Sequence, residues 1–207
     1  MRIGVFGGSF DPIHLGHLIL AENCRQQANL DQVLFMPCAM SPHKLDGAHG
    51  TDRQRMEMLD LAIGGHRDFV RSDMEIKRGG VSYTVDTLRE LDESQPDNEW
   101  FFLMGADSLD SFSSWREPEE ILKLARPIVV GRPGSGEVDM SVLEPLSSAD
   151  YVASLKELSV ESPLIEISSS NIRQRVAEST SIRFLVPRSI EQYIETQKLY
   201  LPKGQVA

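Results

Sequence analysis

The chain has 207 residues, 41% of them hydrophobic and 25% charged, which is ordinary for a globular protein large enough to bury a core. Its 21 basic and 31 acidic residues give a net charge of −10, which argues against broad binding to nucleic acid or to an anionic membrane. The apolar runs are far shorter than the ~20 residues that span a bilayer, and residues 1–8 break too early for a signal peptide. With only two cysteines, no disulfide framework is indicated, and we expect a cytoplasmic protein.

Strand and helix patterns alternate along the chain. Short apolar runs predict buried strands at residues 3–6, 33–36, 100–104 and 128–130. Apolar residues at helical spacing predict helices around residues 20–28, 52–63, 85–91 and 121–124. Residues 189–192 read SIEQ, a capping-box pattern that predicts a final helix beginning there. The alternation predicts an α/β fold with a doubly wound, mostly parallel sheet and a small C-terminal helical part.

We expect a single domain over residues 1–207. Residues 134–166 begin with a stretch rich in Gly and Ser and carry seven acidic residues against one lysine. They predict a solvated, loop-rich insertion with one short helix near residues 150–158. Residues 167–207 carry six basic and three acidic residues, so this part holds a candidate anion site. In doubly wound folds ligands bind beyond the carboxyl ends of the strands, which is where we expect the functional site.

The residues after the first predicted strand favour phosphate binding. Residues 7–17 read GGSFDPIHLGH and lead into a helix. Glycine allows the backbone to approach a ligand closely, and a helix N-terminus presents N–H groups and a partial positive charge. His14 and His17 are three residues apart, so both can face one point and donate hydrogen bonds to phosphate oxygens.

Two other interpretations of this loop stay open on the residues alone. A histidine pair can bind zinc, although no clear third ligand is present and Asp11 is only a candidate. The residues could also be an ordinary polar loop. Neither G-x-x-x-x-G-K-[ST] nor a G-x-G-x-x-G after a strand is present, so the loop is neither a P-loop nor a dinucleotide fingerprint.

Two segments resemble the signatures of the nucleotidyltransferase superfamily with an H-x-G-H motif. The first is residues 7–17, and the second is residues 167–173, which read ISSSNIR and are similar to I-S-S-T-x-I-R. Ser9 and Ser170 stand where threonine is usual, which keeps the hydroxyl group. About 150 residues separate the two motifs, so the C-terminal part carries the second phosphate motif. The resemblance implies a Rossmann-like nucleotidyltransferase fold.

Further segments resemble the bacterial nicotinate mononucleotide adenylyltransferases. Those segments are Met36-Pro37 with residues 41–44 (SPHK), residues 53–59, residues 82–88 (SYTVDTL), residues 105–107 (GAD) and Trp115. The resemblance runs from residue 3 to about residue 200, with residues 134–166 poorly matched. Arg116 departs from the family pattern, because an aromatic residue commonly follows the tryptophan there.

The resemblance implies a specific reaction. ATP and nicotinate mononucleotide would give deamido-NAD and pyrophosphate, by direct attack of the substrate phosphate on the α-phosphorus of ATP. No covalent enzyme intermediate is implied, since positioning and charge stabilisation suffice for phosphoryl chemistry. Mg²⁺ would accompany ATP, held mostly by phosphate oxygens and water rather than by a protein cage.

The same resemblance assigns roles to individual residues. The catalytic residues would be His17, His14 and Arg173, with His17 best suited to stabilise the transition state. ATP would contact Gly7, Gly8, Ser9, Phe10, His14, Gly16, His17, Gly105, Asp107, Ser169, Ser170 and Arg173. Nicotinate mononucleotide would contact Lys44, Ser82, Tyr83, Thr84, Asp107 and Trp115. The helix opening at Thr84 could accept the nicotinate carboxylate, and Trp115 offers a flat face to the pyridine ring.

Two competing functions differ in class from this one. Another H-x-G-H transferase would act on phosphopantetheine or use CTP, against which the residues 82–84 and Trp115 argue. A nucleotide-binding module without catalysis would not need both histidines, the serine cluster and Arg173.

Overall fold

The computed structural model describes residues 1–42, 48–131 and 138–202. The strands in these residues are β1 (Arg2–Gly8), β2 (Gln32–Pro37), β3 (Phe69–Arg71), β4 (Glu99–Gly105), β5 (Arg126–Gly131) and β6 (Val160–Glu161). The α-helices are α1 (Leu15–Gln27), α2 (Asp52–Ile63), α3 (Met74–Arg78), α4 (Thr84–Ser94), α5 (Ala106–Asp110), α6 (Pro118–Leu124), α7 (Ala149–Leu155), α8 (Ser169–Ala177) and α9 (Arg188–Thr196). Short 3₁₀ helices lie at Phe112–Ser114, Met140–Leu146 and Lys156–Leu158.

The six strands form one parallel sheet in the order β3-β2-β1-β4-β5-β6. The chain builds outward from β1 to β3 and then returns to the other side of β1 with β4. Neighbouring connections therefore leave the sheet in opposite directions at β1 and β4, which opens a crevice beyond their carboxyl ends. This doubly wound topology confirms the predicted fold class.

The long predicted elements are confirmed. The four predicted strands correspond to β1, β2, β4 and β5, and the four predicted helices to α1, α2, α4 and α6. In β4 five consecutive residues, 100–104, are buried. A strand buried on both faces is typical of a parallel sheet covered by helices on both sides.

Residues 138–166 differ from the predicted solvated loop. The short predicted helix is present as α7 with the 3₁₀ turn that follows it. However, Leu143, Leu155 and Val160 are buried, and β6 extends the sheet by pairing with β5. The acidic side chains of this stretch, such as Glu144 and Glu157, are exposed. The acidic residues of this stretch therefore lie on the exposed faces of short helices, and the opposite faces of these helices pack into the core.

The final helix is confirmed, but its predicted capping box is wrong. Helix α9 begins at Arg188 with Pro187 as the N-cap residue, two residues before the predicted cap at Ser189. The Ser189 hydroxyl instead donates a hydrogen bond to the Leu61 carbonyl at 3.1 Å, tying α9 to α2. Across the described residues, no helix has both the length and the apolar character needed to cross a bilayer.

Candidate active site

A cleft of about 780 Å³ opens beyond the carboxyl ends of β1 and β4, at the point where the winding direction changes. Two helix N-termini, those of α1 and α8, reach it from one side, and that of α4 from the other. The predicted site residues that line it are Gly7, Gly8, Ser9, His14, His17, Ser82, Tyr83, Thr84, Gly105, Asp107, Trp115, Ser169 and Ser170.

The two histidines at the start of α1 form one unit. Their rings stack with centroids 3.6 Å apart and planes inclined by 22°. The backbone N–H of His14 donates a hydrogen bond to Nδ1 of His17 at 3.3 Å. Because Nδ1 accepts this bond, the neutral His17 ring carries its proton on Nε2. That N–H can donate to an oxyanion in the cleft.

His14 is buried deeply enough to lose its charge. Its side chain is 5% exposed, and burial lowers its pKa to about 4. Its Nδ1 has no hydrogen-bond partner among the described residues, although buried polar atoms are nearly always satisfied. A Cβ atom on Gly16 would lie 3.1 Å from this nitrogen, so glycine lets the helix backbone approach the ring. His14 thus offers a neutral, unsatisfied ring nitrogen at the site.

The buried Phe10 ring packs beneath the cleft, within the loop between β1 and α1. Its backbone has φ 47°, in the left-handed region, and its buried ring packs 5.5 Å from Phe6 and 5.1 Å from His17. The side chain does not line the cleft. The predicted ATP contact of Phe10 stays a prediction.

The second motif meets the first across the start of α8. Ser168 caps this helix by accepting a hydrogen bond from the Asn171 backbone N–H at 3.2 Å. The Ser169 hydroxyl donates to the Pro12 carbonyl at 2.9 Å, which joins two motifs that are far apart in the sequence. The N-termini of α1 and α8 consequently face one cleft, and both favour a bound anion.

Arg173 fastens the two motifs together. Its Nη1 donates to the Asp11 carbonyl oxygen at 2.7 Å, and its Nη2 to the Ser170 hydroxyl oxygen at 3.3 Å. The side chain does not line the cleft. Its direct contribution in this structure is to position Ser170 and the loop that precedes His14.

Asp11 is a buried junction whose role sequence reasoning missed. Its side chain is 2% exposed. The carboxylate accepts hydrogen bonds from the backbone N–H groups of His49 at 2.7 Å and Gly50 at 3.0 Å, and from the Tyr200 hydroxyl at 2.7 Å. A Cβ on Gly50 would lie 3.0 Å from Oδ1, so this position needs a glycine for the close approach.

These bonds bear on the zinc interpretation. The Asp11 carboxylate already accepts hydrogen bonds from three donors. In the part of the chain that the structure describes, no three His, Cys, Asp or Glu side chains are grouped closely enough to hold a metal ion. The donor set therefore suits phosphate oxygens better than a bound cation.

A second missed residue is Arg55, a guanidinium with 0% exposure. It donates to the carbonyl oxygens of Ser9 at 2.9 Å and Cys38 at 2.8 Å, and to Asp52 at 2.6 Å. These bonds fix the chain after β1 and β2 at the cleft wall. The available signal was its position on the apolar face of α2, three and four residues before Met58 and Leu59.

The opposite end of the cleft is formed by the start of α4 and by Trp115. Ser82 is buried, and its hydroxyl oxygen accepts a hydrogen bond from the Ala39 backbone at 3.0 Å. The Trp115 ring packs 5.6 Å from Phe102 and 5.3 Å from Phe112, which fixes the plane it turns to the cleft. Lys44, also predicted for this end, lies outside the described residues.

A buried acid, Glu75, lines this end as well. It accepts a hydrogen bond from the Thr87 hydroxyl at 2.6 Å, whose oxygen in turn accepts one from Arg78 at 2.7 Å. Burial raises the pKa of the Glu75 carboxyl above its usual range. No sequence signal pointed to it, because α3 is only five residues long and shows no periodic pattern.

Comparison with known proteins assigns the family. A family model described as Cytidylyltransferase-like matches residues 5–175. Proteins named "Probable nicotinate-nucleotide adenylyltransferase" from Rhodopirellula baltica and Citrifermentans bemidjiense are 41% identical over 198 residues and 42% identical over 213 residues. The matches cover 96% of this chain and 92% of the first relative, and 97% and 99% for the second.

The fold agrees with solved structures. The Plasmodium falciparum nicotinic acid mononucleotide adenylyltransferase complexed with NaAD matches with a TM-score of 0.73 at 21% identity, over 96% of this chain and 97% of that one. The resemblance seen in the sequence is thus confirmed. The chain belongs to the cytidylyltransferase-like family and, within it, to the nicotinate-nucleotide adenylyltransferases.

Proposed function

We propose that this protein transfers the adenylyl group of ATP to nicotinate mononucleotide in the cytoplasm, giving deamido-NAD and pyrophosphate for NAD synthesis. The observation that carries the proposal is the meeting of two helix N-termini at one cleft, with the stacked pair of His14 and His17 at the first of them. Family membership supports the choice of acceptor.

At the phosphate end of the cleft, the serine hydroxyl groups differ in whether they have a proton to donate to ATP. Ser169 gives its proton to the Pro12 carbonyl, so it cannot donate to phosphate at the same time. Ser170 accepts from Arg173, which leaves its own proton free to be donated. Ser170 and Ser9, together with backbone N–H groups of α1 and α8, are therefore the donors we assign to the triphosphate.

The transfer step needs no protein nucleophile. An oxygen of the substrate phosphate forms a bond to the α-phosphorus while the bond from that phosphorus to the bridging oxygen breaks, and pyrophosphate leaves with that electron pair. The attacking phosphate is already ionised, so no base has to remove a proton. His17, donating from Nε2, stabilises the negative charge on the α-phosphate oxygens as the transition state forms.

Mg²⁺ bound with ATP would supply positive charge that offsets the charge on the pyrophosphate. We expect the ion to be held mostly by phosphate oxygens and water. The protein contributes the orientation of the two reactants and the donors around them.

At the other end of the cleft, α4 supports recognition of nicotinate. Its N-terminal N–H groups and the Thr84 hydroxyl would donate to the carboxylate. A carboxamide would turn its NH₂ group toward these donors or lose a contact, and either outcome weakens binding. The Trp115 ring offers a face for stacking of the pyridine.

Product analysis tests the proposal. The protein incubated with ATP, Mg²⁺ and nicotinate mononucleotide should form deamido-NAD and pyrophosphate in equal amounts, detected by mass spectrometry. ATP with a chiral thiophosphate at the α-position should react with inversion, as one in-line displacement requires. Retention would indicate a covalent intermediate, and turnover of phosphopantetheine or CTP in place of these substrates would overturn the assignment.

A further inference from the structure

One side chain at the nicotinate end has no assigned role. Among the described side chains that line the cleft, Arg116 is the one with a permanent positive charge, whereas Glu75 and Asp107 are acids. Arg116 directly follows Trp115 and lies beside Tyr83, which precedes α4. It therefore lies at the end of the cleft where the pyridine ring of the substrate is placed above.

The guanidinium of Arg116 is fixed from three directions. Its central carbon lies 4.9 Å from the centroid of the Tyr83 ring, a cation–π contact. Nη1 donates to Asp86 at 3.3 Å, and Nε lies 3.6 Å from a Glu117 carboxylate oxygen. The contacts recorded among the described residues involve Nη1, Nε and the face of the group, which leaves the Nη2 edge open to a ligand.

Asp86 and Glu117 do not pair with Arg116 alone. Arg89 pairs with the same carboxylates, at 3.9 Å from Asp86 and with a short contact to Glu117. Two cations thus face two anions. The local charge is balanced before substrate binds, and an incoming carboxylate can share the Arg116 guanidinium without first breaking an isolated ion pair.

We propose that Arg116 is a specificity-determining residue whose Nη2 edge binds the carboxylate of nicotinate mononucleotide and so selects it over the nicotinamide form. A guanidinium donates charge-assisted hydrogen bonds to a carboxylate, which are roughly twice as strong as bonds between neutral groups. A carboxamide offers one neutral oxygen, and its NH₂ cannot accept. The inference rests on the proposed function and names the side chain that sets its selectivity.

The test compares two substrates in three variants. With pyrophosphate release as the assay, Arg116→Gln should lower kcat/KM for nicotinate mononucleotide by ~10- to 100-fold, mainly through KM, because a uniform binding contact is lost. The value for nicotinamide mononucleotide should stay within about twofold. Arg116→Lys should recover only part of the selectivity, since lysine lacks the planar fork.

Lys123→Gln is the control. It removes an exposed cation that pairs with Glu120, contacts neither Asp86 nor Glu117 and does not line the cleft, so the ratio of the two kcat/KM values should be unchanged. An unchanged ratio in Arg116→Gln would overturn the inference, as would an equal loss on both substrates. If that variant does not fold, Arg116→Lys decides, and a wild-type ratio in it refutes the role. A wild-type protein inactive with both substrates would instead refute the proposed function.

Discussion

At the scale of single residues, the chemistry of this site depends on which protons the two histidines carry. Burial keeps His14 neutral, and the His14 backbone N–H fixes the tautomer of His17. In its neutral form the His17 ring therefore has a donor N–H at a defined position, Nε2. These two residues were predictable because they lie three residues apart at the start of one helix, directly after a short loop. Arg55 and Glu75 were not, since their roles arise from tertiary burial.

Replacing His17 with alanine removes the donor assigned to the transition state. We expect kcat to fall by ~10²–10³-fold, the effect of losing one such donor, while the melting temperature stays near that of the wild type. Pyrophosphate release and a thermal melt measure the two quantities. His66→Ala is the control, because this histidine stacks on Phe69 away from the cleft. A His17→Ala enzyme with near-normal kcat would refute the role.

His14 makes folding stability depend on pH. Its pKa falls from about 6.5 in the unfolded chain to about 4 in the folded state. Below pH 6.5 the unfolded state therefore binds the proton more readily, and stability declines as the pH falls toward 4. Between pH 7.5 and pH 5 this contribution amounts to about 2 kcal/mol. Urea unfolding of the wild type and of His14→Gln at both pH values isolates it, because other carboxyl groups affect both proteins alike. Equal pH dependence in the two would contradict the burial argument.

At the scale of elements, the site is an assembly of helix starts held by a few cross-links. Asp11 joins the loop before α1 to residues 49–50 before α2, to α8 through Arg173, and to the segment after α9 through Tyr200. Long elements with periodic apolar residues were predicted, whereas β3, β6 and α3 were not, since elements of two to five residues carry too little pattern. No local signal marks contacts between residues so far apart.

The cross-link from Tyr200 should matter for catalysis. Burial and the adjacent Asp11 carboxylate raise the pKa of Tyr200, so its hydroxyl stays protonated and donates. Tyr200→Phe should lower kcat by roughly 5- to 20-fold with little change in KM for ATP, because the loop that leads into His14 and His17 loses one hydrogen bond to a charged group.

Tyr193→Phe is a matched control for that variant. Tyr193 also donates to a carboxylate, that of Glu57, and joins α9 to α2 without touching the loop before α1. It should lower the melting temperature to a similar degree but leave kcat unchanged. If the two variants had the same kinetic constants, the Tyr200 contact would be structural only.

At the scale of the whole molecule, one hydrophobic core extends from α2 on one side of the sheet order to residues 138–160 on the other. The net charge of −10 resides on the surface, including the exposed acids of this last stretch, while two helix N-termini supply a local field for anionic substrates. The amino-acid composition of residues 134–166 suggested a loop. Composition counts the exposed acidic residues and the buried apolar residues of a short helix together, so it does not show that one face is buried.

Leu155→Ala tests whether this stretch belongs to the core. Leu155 is 0% exposed, so we expect the free energy of unfolding to fall by about 2–4 kcal/mol. Leu164→Ala in the same stretch should change it by less than ~0.5 kcal/mol, because Leu164 is 64% exposed. Urea denaturation measures both. A near-zero effect of Leu155→Ala would restore the solvated-loop interpretation.

Adenylyl transfer to nicotinate mononucleotide is expected to take place in the cleft beyond β1 and β4. The most direct measurement is the rate of pyrophosphate release with ATP and Mg²⁺, run in parallel with nicotinate and nicotinamide mononucleotide. We predict rapid release with the nicotinate substrate and a much lower kcat/KM with the nicotinamide one. No release with either substrate would contradict the account.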